Sequence, residues 1–381
     1  MTAERLARYA KTLSGLERKG RRRALVSQDG IDFTSNDYLG MANSPRIRSA
    51  IAAAMARGVA VGSGGSRLLR GNHLEHEALE VEAAAFFGTE RALYFSSGYA
   101  ANAALFSTLL QRGDLIVHDA LIHASAREGI AASRAQAALA QHNDVADFED
   151  VIVRWRKDGG MGHPWIAVES LYSMDGDRAP LAELLSVAER HDGILVIDEA
   201  HATGVFGPDG RGLASGMEGR DNVILLHTCG KALGVAGALV GANSLICDYL
   251  VNRARAFIYS TAPSPLMAEG VREALKILVD EPQRRADFER LWTFANAQLT
   301  TVLGLEGSGS QILPVMIGDN GRAMRIAERM RAEGFDIRAI RPPTIPEGTA
   351  RLRIAITLNV DRSAIVRMFD ALANAFAEEA A

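Results

Sequence analysis

The chain has 381 residues, of which 48% are hydrophobic, and its 42 basic and 46 acidic residues leave a formal net charge of -4. This length suffices for two or three structural units, and the small net charge excludes a global field that would attract nucleic acid or an anionic membrane. The two cysteines, Cys229 and Cys247, exclude a disulfide framework and a four-cysteine zinc site. They are typical of a reducing compartment, which predicts a cytoplasmic protein without a bound metal.

The N-terminal segment predicts a helix and an arm over residues 1–40. Residues 1–25 are rich in arginine, but Glu4, Glu17 and the lack of a long apolar stretch argue against an export signal. Farther along, residues 234–246 form the most apolar stretch, which is too short and too rich in glycine to span a bilayer. We therefore expect neither nucleic acid nor a membrane among the partners.

The middle of the chain predicts a large α/β domain over residues 41–265. Short apolar runs alternate there with amphipathic helical stretches, a pattern typical of a mainly parallel sheet covered on both faces. The predicted strands are 92–95, 115–118, 165–169, 194–198, 223–228 and 238–240, and the predicted helices are 99–111, 123–132 and 181–190.

The remainder, residues 266–381, predicts a smaller α+β domain. Two long helices are expected near 266–279 and 284–303, followed by strands at 312–317 and 352–356 and a helix at 321–333. The change of pattern follows Pro263 and Pro265.

Four segments place polar residues where predicted strands of the large domain end. In chain order they are Ser97-Gly98-Tyr99, His123, Asp198 with His201, and Thr228 with Lys231. The first segment can seat a phosphate at a helix N-terminus, although a serine there is more often a simple helix cap. An acid at a strand end is likewise often a cap, and a lone lysine is often a surface charge. Their shared position at one sheet edge, where ligands of open α/β sheets bind, favours a functional site.

With these segments the chain resembles the aspartate-aminotransferase superfamily, the fold type I enzymes that depend on pyridoxal phosphate. Within it, the chain is similar to the α-oxoamine synthases, which condense an amino acid with an acyl-CoA and release carbon dioxide. The motifs that carry this resemblance are NDYLG (36–40), GSGGSR (62–67), SMDGDRAPL (173–181), DEAHATGVFGPDGRG (198–212) and RPPTIPEGTARLRI (341–354). The implied fold is an aspartate aminotransferase-like α/β transferase, with a large mainly parallel sheet domain and a smaller α+β C-terminal domain.

The resemblance also implies roles for individual residues. Lys231 would hold pyridoxal phosphate as a Schiff base, Asp198 would bind the ring nitrogen, His201 the phenolic oxygen, and His123 would stack on the ring. The remaining implied cofactor contacts are Ser97, Gly98, Tyr99, Ser173, Thr228 and Thr261, the last from the neighbouring subunit of a homodimer with shared active sites. The implied substrate contacts are Arg21, Asn36, His123, Thr344 and Arg353.

The segments ILPVMIGDN and RPPTIPEGTARLR resemble those of the family member that acts in biotin biosynthesis. This resemblance implies a reaction that joins L-alanine to pimeloyl-CoA or a pimeloyl carrier protein. A terminal carboxylate on that acyl chain would need a polar partner, for which Arg21, Arg67 and Arg70 are candidates. Glycine C-acetyltransferase, 5-aminolevulinate synthase and serine palmitoyltransferase are alternatives with the same chemistry. A non-catalytic protein that binds pyridoxal phosphate is a more remote alternative.

Overall fold

The computed structural model describes residues 2–380, and the side chains of residues 5–379. The chain divides into two compact units. The larger comprises Asn36–Ser173 and Asp177–Phe288, and the smaller comprises the segment before Asn36, Met174–Gly176 and the chain from Glu289 onward. The larger unit contains one sheet and the smaller unit contains two.

The helices and strands have the following bounds. The helices are α1 (Thr2–Arg18), α2 (Pro45–Ala56), α3 (Leu74–Phe87), α4 (Gly98–Leu109), α5 (Ala124–Ala131), α6 (Val145–Lys157), α7 (Leu181–Arg190), α8 (Ser244–Arg253), α9 (Arg255–Ile258), α10 (Pro265–Asp280), α11 (Pro282–Leu303), α12 (Asn320–Ala332) and α13 (Arg362–Ala380). The strands are β1 (Ile31–Asp32), β2 (Arg91–Phe95), β3 (Leu115–Asp119), β4 (Gln136–Ala140), β5 (Pro164–Glu169), β6 (Ile194–Asp198), β7 (Val223–Thr228), β8 (Ala238–Ala242), β9 (Ile312–Gly318), β10 (Phe335–Asp336), β11 (Arg338–Ile340) and β12 (Ala350–Ala355).

The larger unit is built on a seven-stranded sheet in the order β2-β8-β7-β6-β5-β3-β4. Strand β8 is antiparallel to both of its neighbours, and the pairs from β7 to β4 are parallel. One face is covered by α4, α5, α8 and α9, whose apolar side chains form one core with the sheet, and α6 and α7 pack against the other face. Burial on both faces explains why the central strands are almost continuously apolar.

The smaller unit contains a three-stranded antiparallel sheet in the order β11-β12-β9 and a short parallel pair between β1 and β10. Helix α12 packs on β9, β10, β11 and β12, and α13 packs on α12. In the central strand β12 every residue is buried. The expected α+β organisation is therefore present.

The predicted strands and helices are mostly confirmed within a residue or two. The elements that were not predicted are α2, α3, α6, α8, α9, α13, β1, β4, β10 and β11. Strand β4 is an exposed edge strand with the sequence QAALA, which lacks a clear apolar alternation. Helix α10 was expected in the C-terminal domain, whereas it packs against α2 and α3 and belongs to the larger unit. The reason is that ten of its residues are buried, so both neighbours are needed to cover it.

Two further findings concern expectations drawn from composition. None of the helices described is long and apolar enough to cross a membrane, and the described residues contain no cluster of histidine, cysteine and acidic side chains suited to a metal ion. Cys229 and Cys247 are both buried free thiols, and burial raises the pKa of each above its usual range.

Candidate active site

The sequence-predicted residues of the larger unit lie at one edge of its sheet. Strand β6 ends at Asp198 and β7 ends at Thr228, while Ser97 and His123 follow β2 and β3 closely. Because these four strands run in the same direction, their carboxyl ends share an edge, which is where open α/β sheets bind ligands. The structure thus brings together residues from four separate segments.

The start of α4 forms a narrow cradle beside Thr228. The Ser97 side chain accepts a hydrogen bond from the backbone N–H of Ala100 at 3.1 Å and caps the helix. A Cβ added to Gly98 would lie 2.7 Å from Cγ2 of Thr228, so only glycine permits this approach. The backbone N–H groups of a helix N-terminus attract anions, while the Thr228 hydroxyl donates to the carbonyl of Ala200 at 3.4 Å. Tyr99 itself is half exposed, and its hydroxyl donates to Glu128.

Lys231 begins a chain of hydrogen bonds that runs through His201 to the NDYLG segment. Lys231 Nζ lies 2.9 Å from His201 Nε2, and His201 Nδ1 lies 2.6 Å from the Tyr38 hydroxyl, which donates to Asn36 Oδ1 at 3.0 Å. An ammonium group can only donate, so Nε2 accepts, Nδ1 carries the proton, and Tyr38 accepts it. Tyr38 is fully buried and stacks on Phe288. Sequence analysis assigned no role to Tyr38, although its place inside NDYLG marked it.

Asp198 is joined to His123 through two residues that sequence analysis did not single out. Asn102 Nδ2 donates to Asp198 Oδ2 and to Ser125 Oγ, both at 2.9 Å. Ser125 Oγ in turn lies 2.7 Å from His123 Nδ1. The backbone N–H of Ala200 donates to the other carboxylate oxygen of Asp198 at 3.0 Å. The carboxylate is therefore held on both oxygens, and this requires contacts between α4, α5 and β6.

Glu169 lies beside Asp198, because the two residues are register partners on β5 and β6. Burial and the charge of Asp198 raise the pKa of Glu169 well above its usual range, which favours its protonated form. Its Oε2 accepts from the backbone N–H of Ser173 at 3.1 Å, whereas Oε1 is buried without a hydrogen-bond partner among the described residues. Glu169 thus holds the backbone of the predicted cofactor contact Ser173.

A partly buried ionic cluster supports the loop that follows β3. His142 lies between Asp119 Oδ1 and Asp177 Oδ2, at 2.8 and 2.7 Å. Burial opposes protonation, but the hydrogen bonds from the imidazole to these two carboxylates raise the pKa of His142 to about 10. Asp119 also accepts from the backbone N–H of Leu121 at 2.7 Å. The cluster therefore anchors the loop that leads from β3 to His123.

The remaining predicted substrate contacts belong to the smaller unit. Arg353 is buried on β12, where it pairs with Pro314 on β9 and Arg338 on β11. Arg21 and Thr344 line a cavity of about 200 Å³ together with Arg23 and Arg341, which the sequence did not indicate.

Three guanidinium groups face this cavity. Arg21 forms an ion pair with the exposed Glu347, and Arg23 donates to Thr344 Oγ1 at 2.9 Å. Burial and the charge of Arg23 lower the pKa of Arg341. Arg21 Nε is buried without a hydrogen-bond partner among the described residues. An excess of positive charge and an unused donor suit an anionic group.

Two of the predicted contacts, Arg67 and Thr261, lie in loops of the larger unit. Arg67 was a candidate for the acyl carboxylate, but its guanidinium already binds both oxygens of Glu80, at 2.8 and 2.9 Å, and its side chain is 8% exposed. The structure therefore contradicts that role for Arg67. Thr261 is exposed, next to Ala262, whose N–H donates to the carbonyl of Gly65.

The geometry of the larger unit fits pyridoxal phosphate. The cradle of Gly98 and Thr228 suits the phosphate, and Lys231 supplies an amine that can bond to the aldehyde. A Cβ on Gly230 would meet nothing closer than 3.9 Å, which leaves space beside Lys231 for a planar ring. Asp198 supplies the carboxylate that the ring nitrogen of the cofactor needs. His123 is exposed to solvent.

Comparison with known proteins agrees with this fit. The model of the family described as aminotransferase class I and II matches residues 28–372. The 8-amino-7-oxononanoate synthase of Chromobacterium violaceum is 41% identical over 342 residues, which cover 89% of this chain and 88% of that protein. The enzyme of the same name from Geobacter sulfurreducens is 39% identical over 97% of this chain and 94% of its own length.

Solved structures place the fold in the same group. A serine palmitoyltransferase from S. paucimobilis, solved with a pyridoxal phosphate–myriocin adduct, superposes with a TM-score of 0.88 at 27% identity, covering 99% of this chain and 98% of that one. An 8-amino-7-oxononanoate synthase from Francisella tularensis superposes with a TM-score of 0.78 at 28% identity, covering 92% of this chain and 99% of its own.

Proposed function

The chain belongs to the aminotransferase class I and II family and, within it, to the α-oxoamine synthases, and we propose that it joins L-alanine to a pimeloyl thioester. The products are 8-amino-7-oxononanoate, carbon dioxide and the free thiol of the carrier, and the pathway is biotin biosynthesis. The observation that carries the proposal is the hydrogen-bonded pair of Lys231 and His201 at the sheet edge that also holds Asp198. Relatives named for this reaction that are about 40% identical over most of the chain supply the substrates.

The chain's own residues divide the chemistry among them. Bound through Lys231, pyridoxal phosphate supplies an electron sink for the negative charge that forms at the α-carbon of the amino acid. Asp198 keeps the ring nitrogen protonated, since an ion pair at about 4 Å is worth roughly 4 kcal/mol at an effective dielectric of 20. Ser97, Gly98, Tyr99 and Thr228 hold the phosphate, His201 and Ser173 bind the phenolic oxygen, and His123 covers the ring.

Lys231 also moves the proton. Once the amino acid has displaced it, its free amine removes the α-proton. The α-carbon then forms a bond to the acyl carbonyl carbon, and the carbon–sulfur bond breaks to release the thiolate. The bond to the carboxylate breaks next, carbon dioxide leaves, and Lys231 returns a proton to the α-carbon. Arg353 and Asn36 bind the amino-acid carboxylate during these steps.

The cavity of Arg21, Arg23, Arg341 and Thr344 supports a pimeloyl substrate. Pimeloyl ends in a carboxylate, which guanidinium groups bind through charge-assisted hydrogen bonds. A palmitoyl chain would instead need an apolar surface at its end, and an acetyl group has no terminal charge that guanidinium groups could bind. The guanidinium groups of this cavity therefore favour the biotin-pathway reaction over that of serine palmitoyltransferase, although the latter enzyme has the higher TM-score of the two structures compared.

The proposal includes a homodimer in the cytoplasm. A backbone hydrogen bond from Ala262 to Gly65 joins two loops of the larger unit. Close to it in sequence are three large exposed side chains, those of Leu68, Leu69 and Tyr259. Exposed apolar surface of this kind favours coverage by a partner, and a second copy would bring its own Thr261 to the phosphate of the first. Buried free thiols support a reducing compartment.

Substrate assays test the reaction. The purified enzyme should be supplied with alanine, glycine or serine, each paired with pimeloyl-, acetyl-, succinyl- or palmitoyl-CoA, while thiol release is followed. We expect alanine with pimeloyl-CoA to give the highest kcat/KM. Arg23→Gln and Arg341→Gln should raise KM for pimeloyl-CoA more than tenfold, because they remove a charged partner of the carboxylate. Preference for glycine with acetyl- or succinyl-CoA would refute the assigned substrates.

A subunit-mixing experiment tests the shared site. Lys231→Ala and Thr261→Asp subunits should each be inactive alone, since one lacks the amine and the other places a charge beside the phosphate. In a mixed dimer one site carries both changes and the other carries neither, so a random mixture should regain roughly a quarter of the wild-type activity. No recovery from verified mixed dimers would exclude a shared site, and a monomer in analytical ultracentrifugation would exclude the dimer.

A further inference from the structure

We infer that Asn102 and Ser125 are positioning residues, which hold Asp198 and His123 in one hydrogen-bonded chain and fix the proton of His123 on Nε2. The inference rests on the proposed function only for the roles of Asp198 and His123. Asn102 and Ser125 themselves touch neither substrate nor cofactor in this account.

The first step is the approach of α4 to α5. Asn102 lies in the second turn of α4 and Ser125 in the first turn of α5, and both are at least 98% buried. A Cβ on Gly129 would lie 2.8 Å from the Asn102 carbonyl and 3.1 Å from Cβ of Phe106. Glycine at 129 therefore allows the helices to come close enough for the two side chains to bond.

The amide group of Asn102 determines the donors and acceptors of this chain. Asn102 Nδ2 has two hydrogens and no lone pair for accepting, so it donates both to Asp198 Oδ2 and to Ser125 Oγ. The opposite amide orientation would place Oδ1 against a carboxylate, which is unfavourable. Because Ser125 Oγ accepts from Asn102, its own hydrogen is free to donate to His123 Nδ1.

The third step fixes the imidazole. The backbone N–H of Ser125 also points at His123 Nδ1, at 3.2 Å, and can only donate. Two donors therefore meet Nδ1, which must carry a lone pair, and the ring proton lies on Nε2. Burial lowers the pKa of His123 and nearby Lys231 lowers it further, while the charge of Asp198 opposes this change. A second proton on the ring would have to bind Nδ1, which two donors already face, so the neutral imidazole is favoured.

The consequence is a link between the two groups that flank the cofactor. Asp198 orients Asn102, Asn102 orients the Ser125 hydroxyl, and the hydroxyl selects the His123 tautomer. A ring locked as Nε2–H presents one donor and one fixed plane to a bound ligand. A purely structural role would leave Asn102 and Ser125 needed for packing but without influence on the His123 proton.

The direct test is nitrogen NMR of protein labelled at histidine with ¹⁵N, with the His123 signals assigned from a His123→Gln sample. Wild-type protein, with and without cofactor, should show unprotonated Nδ1 and protonated Nε2 at pH 7. The cofactor-free measurement does not depend on which reaction the enzyme performs. Protonated Nδ1 in the neutral wild-type ring would overturn the inference even if every variant failed to fold.

Variants then separate positioning from packing. Ser125→Ala should raise the midpoint of the His123 NMR titration by about one pH unit and lower kcat roughly tenfold with a small change in KM, because one buried donor is lost. Asn102→Leu should have a similar effect, since the serine hydroxyl is no longer oriented. Ser125→Thr, which keeps the hydroxyl, should restore most of both properties, and Ser107→Ala on the exposed side of α4 should change neither.

Loss of activity in folded, cofactor-loaded Ser125→Ala without a change in the His123 tautomer or titration would assign the effect to packing and overturn the inference. Folded Ser125→Thr with no recovery would have the same meaning. Circular dichroism and cofactor absorbance of each variant establish that it is folded and loaded.

Discussion

Replacing Tyr38 by phenylalanine isolates one hydrogen bond at the proposed active site. Tyr38 is fully buried, and its ring stacks on Phe288 with centroids 6.2 Å apart, so phenylalanine can keep that packing. What the change removes is the hydroxyl that lies 2.6 Å from His201 Nδ1 and donates to Asn36. The hydroxyl can donate or accept, so it can pair with His201 whichever ring nitrogen carries the proton.

The size of the effect follows from burial. His201 is 4% exposed, so water does not replace the missing partner. Leaving a buried polar group without its hydrogen bond costs about 1–3 kcal/mol, which corresponds to a factor of about 5 to 150 in an equilibrium constant. Because His201 is proposed to bind the phenolic oxygen of pyridoxal phosphate, we expect the cofactor to bind Tyr38→Phe more weakly by a factor in that range.

The assay is a titration of cofactor-free protein with pyridoxal phosphate, followed by visible absorbance. Tyr249→Phe is the control. Tyr249 lies on the surface of α8, and its hydroxyl accepts a hydrogen bond from the Gln111 side chain. A Tyr38→Phe protein whose cofactor affinity and kcat both lie within twofold of wild type would refute the reasoning about His201.

Lys231, Arg353 and the partly buried His142 can be tested in the same way. Lys231→Ala should fold normally but lose turnover and the visible absorbance of the bound cofactor, and a near-normal rate would exclude Lys231 as the attachment site. Arg353→Lys should weaken alanine binding, because a lysine ammonium cannot form two parallel hydrogen bonds with a carboxylate; equal affinity in a spectral titration would remove Arg353 from the site. The raised pKa of His142 stabilises the fold fully below pH 6.5, and this contribution is lost as the pH rises towards about 10. The thermal midpoint of wild type should therefore fall towards that of His142→Gln over this range, whereas exposed His163→Gln should show no such convergence.

Sequence reasoning found the residues whose position along the chain reveals their chemistry. Asp198 and Thr228 end apolar strands, and Lys231 follows the second of these closely, so the parallel topology alone places them at one edge. The motifs implied the roles that are proposed for His201 and His123. These residues needed no knowledge of side-chain packing.

The residues that sequence reasoning missed can be recognised only from contacts between distant segments. Asn102 lies 96 residues from Asp198 and resembles any polar residue in an alanine-rich helix until α4 and β6 are assembled. In the sequence Arg67 resembles an unpaired cation. Only the fold shows that its guanidinium binds Glu80, which is 13 residues away. Arg341 and Arg23 are 318 positions apart in number, and only the structure places both at one cavity.

The two buried cysteines make this protein convenient for a colorimetric readout. A thiol reacts with aromatic disulfide reagents as the thiolate, and here burial both excludes the reagent and keeps Cys229 and Cys247 protonated. Free coenzyme A, by contrast, carries an exposed thiol. The native enzyme should therefore contribute almost no background colour while product accumulates, and a single cysteine introduced on its surface could carry a fluorescent label without removal of the natural ones.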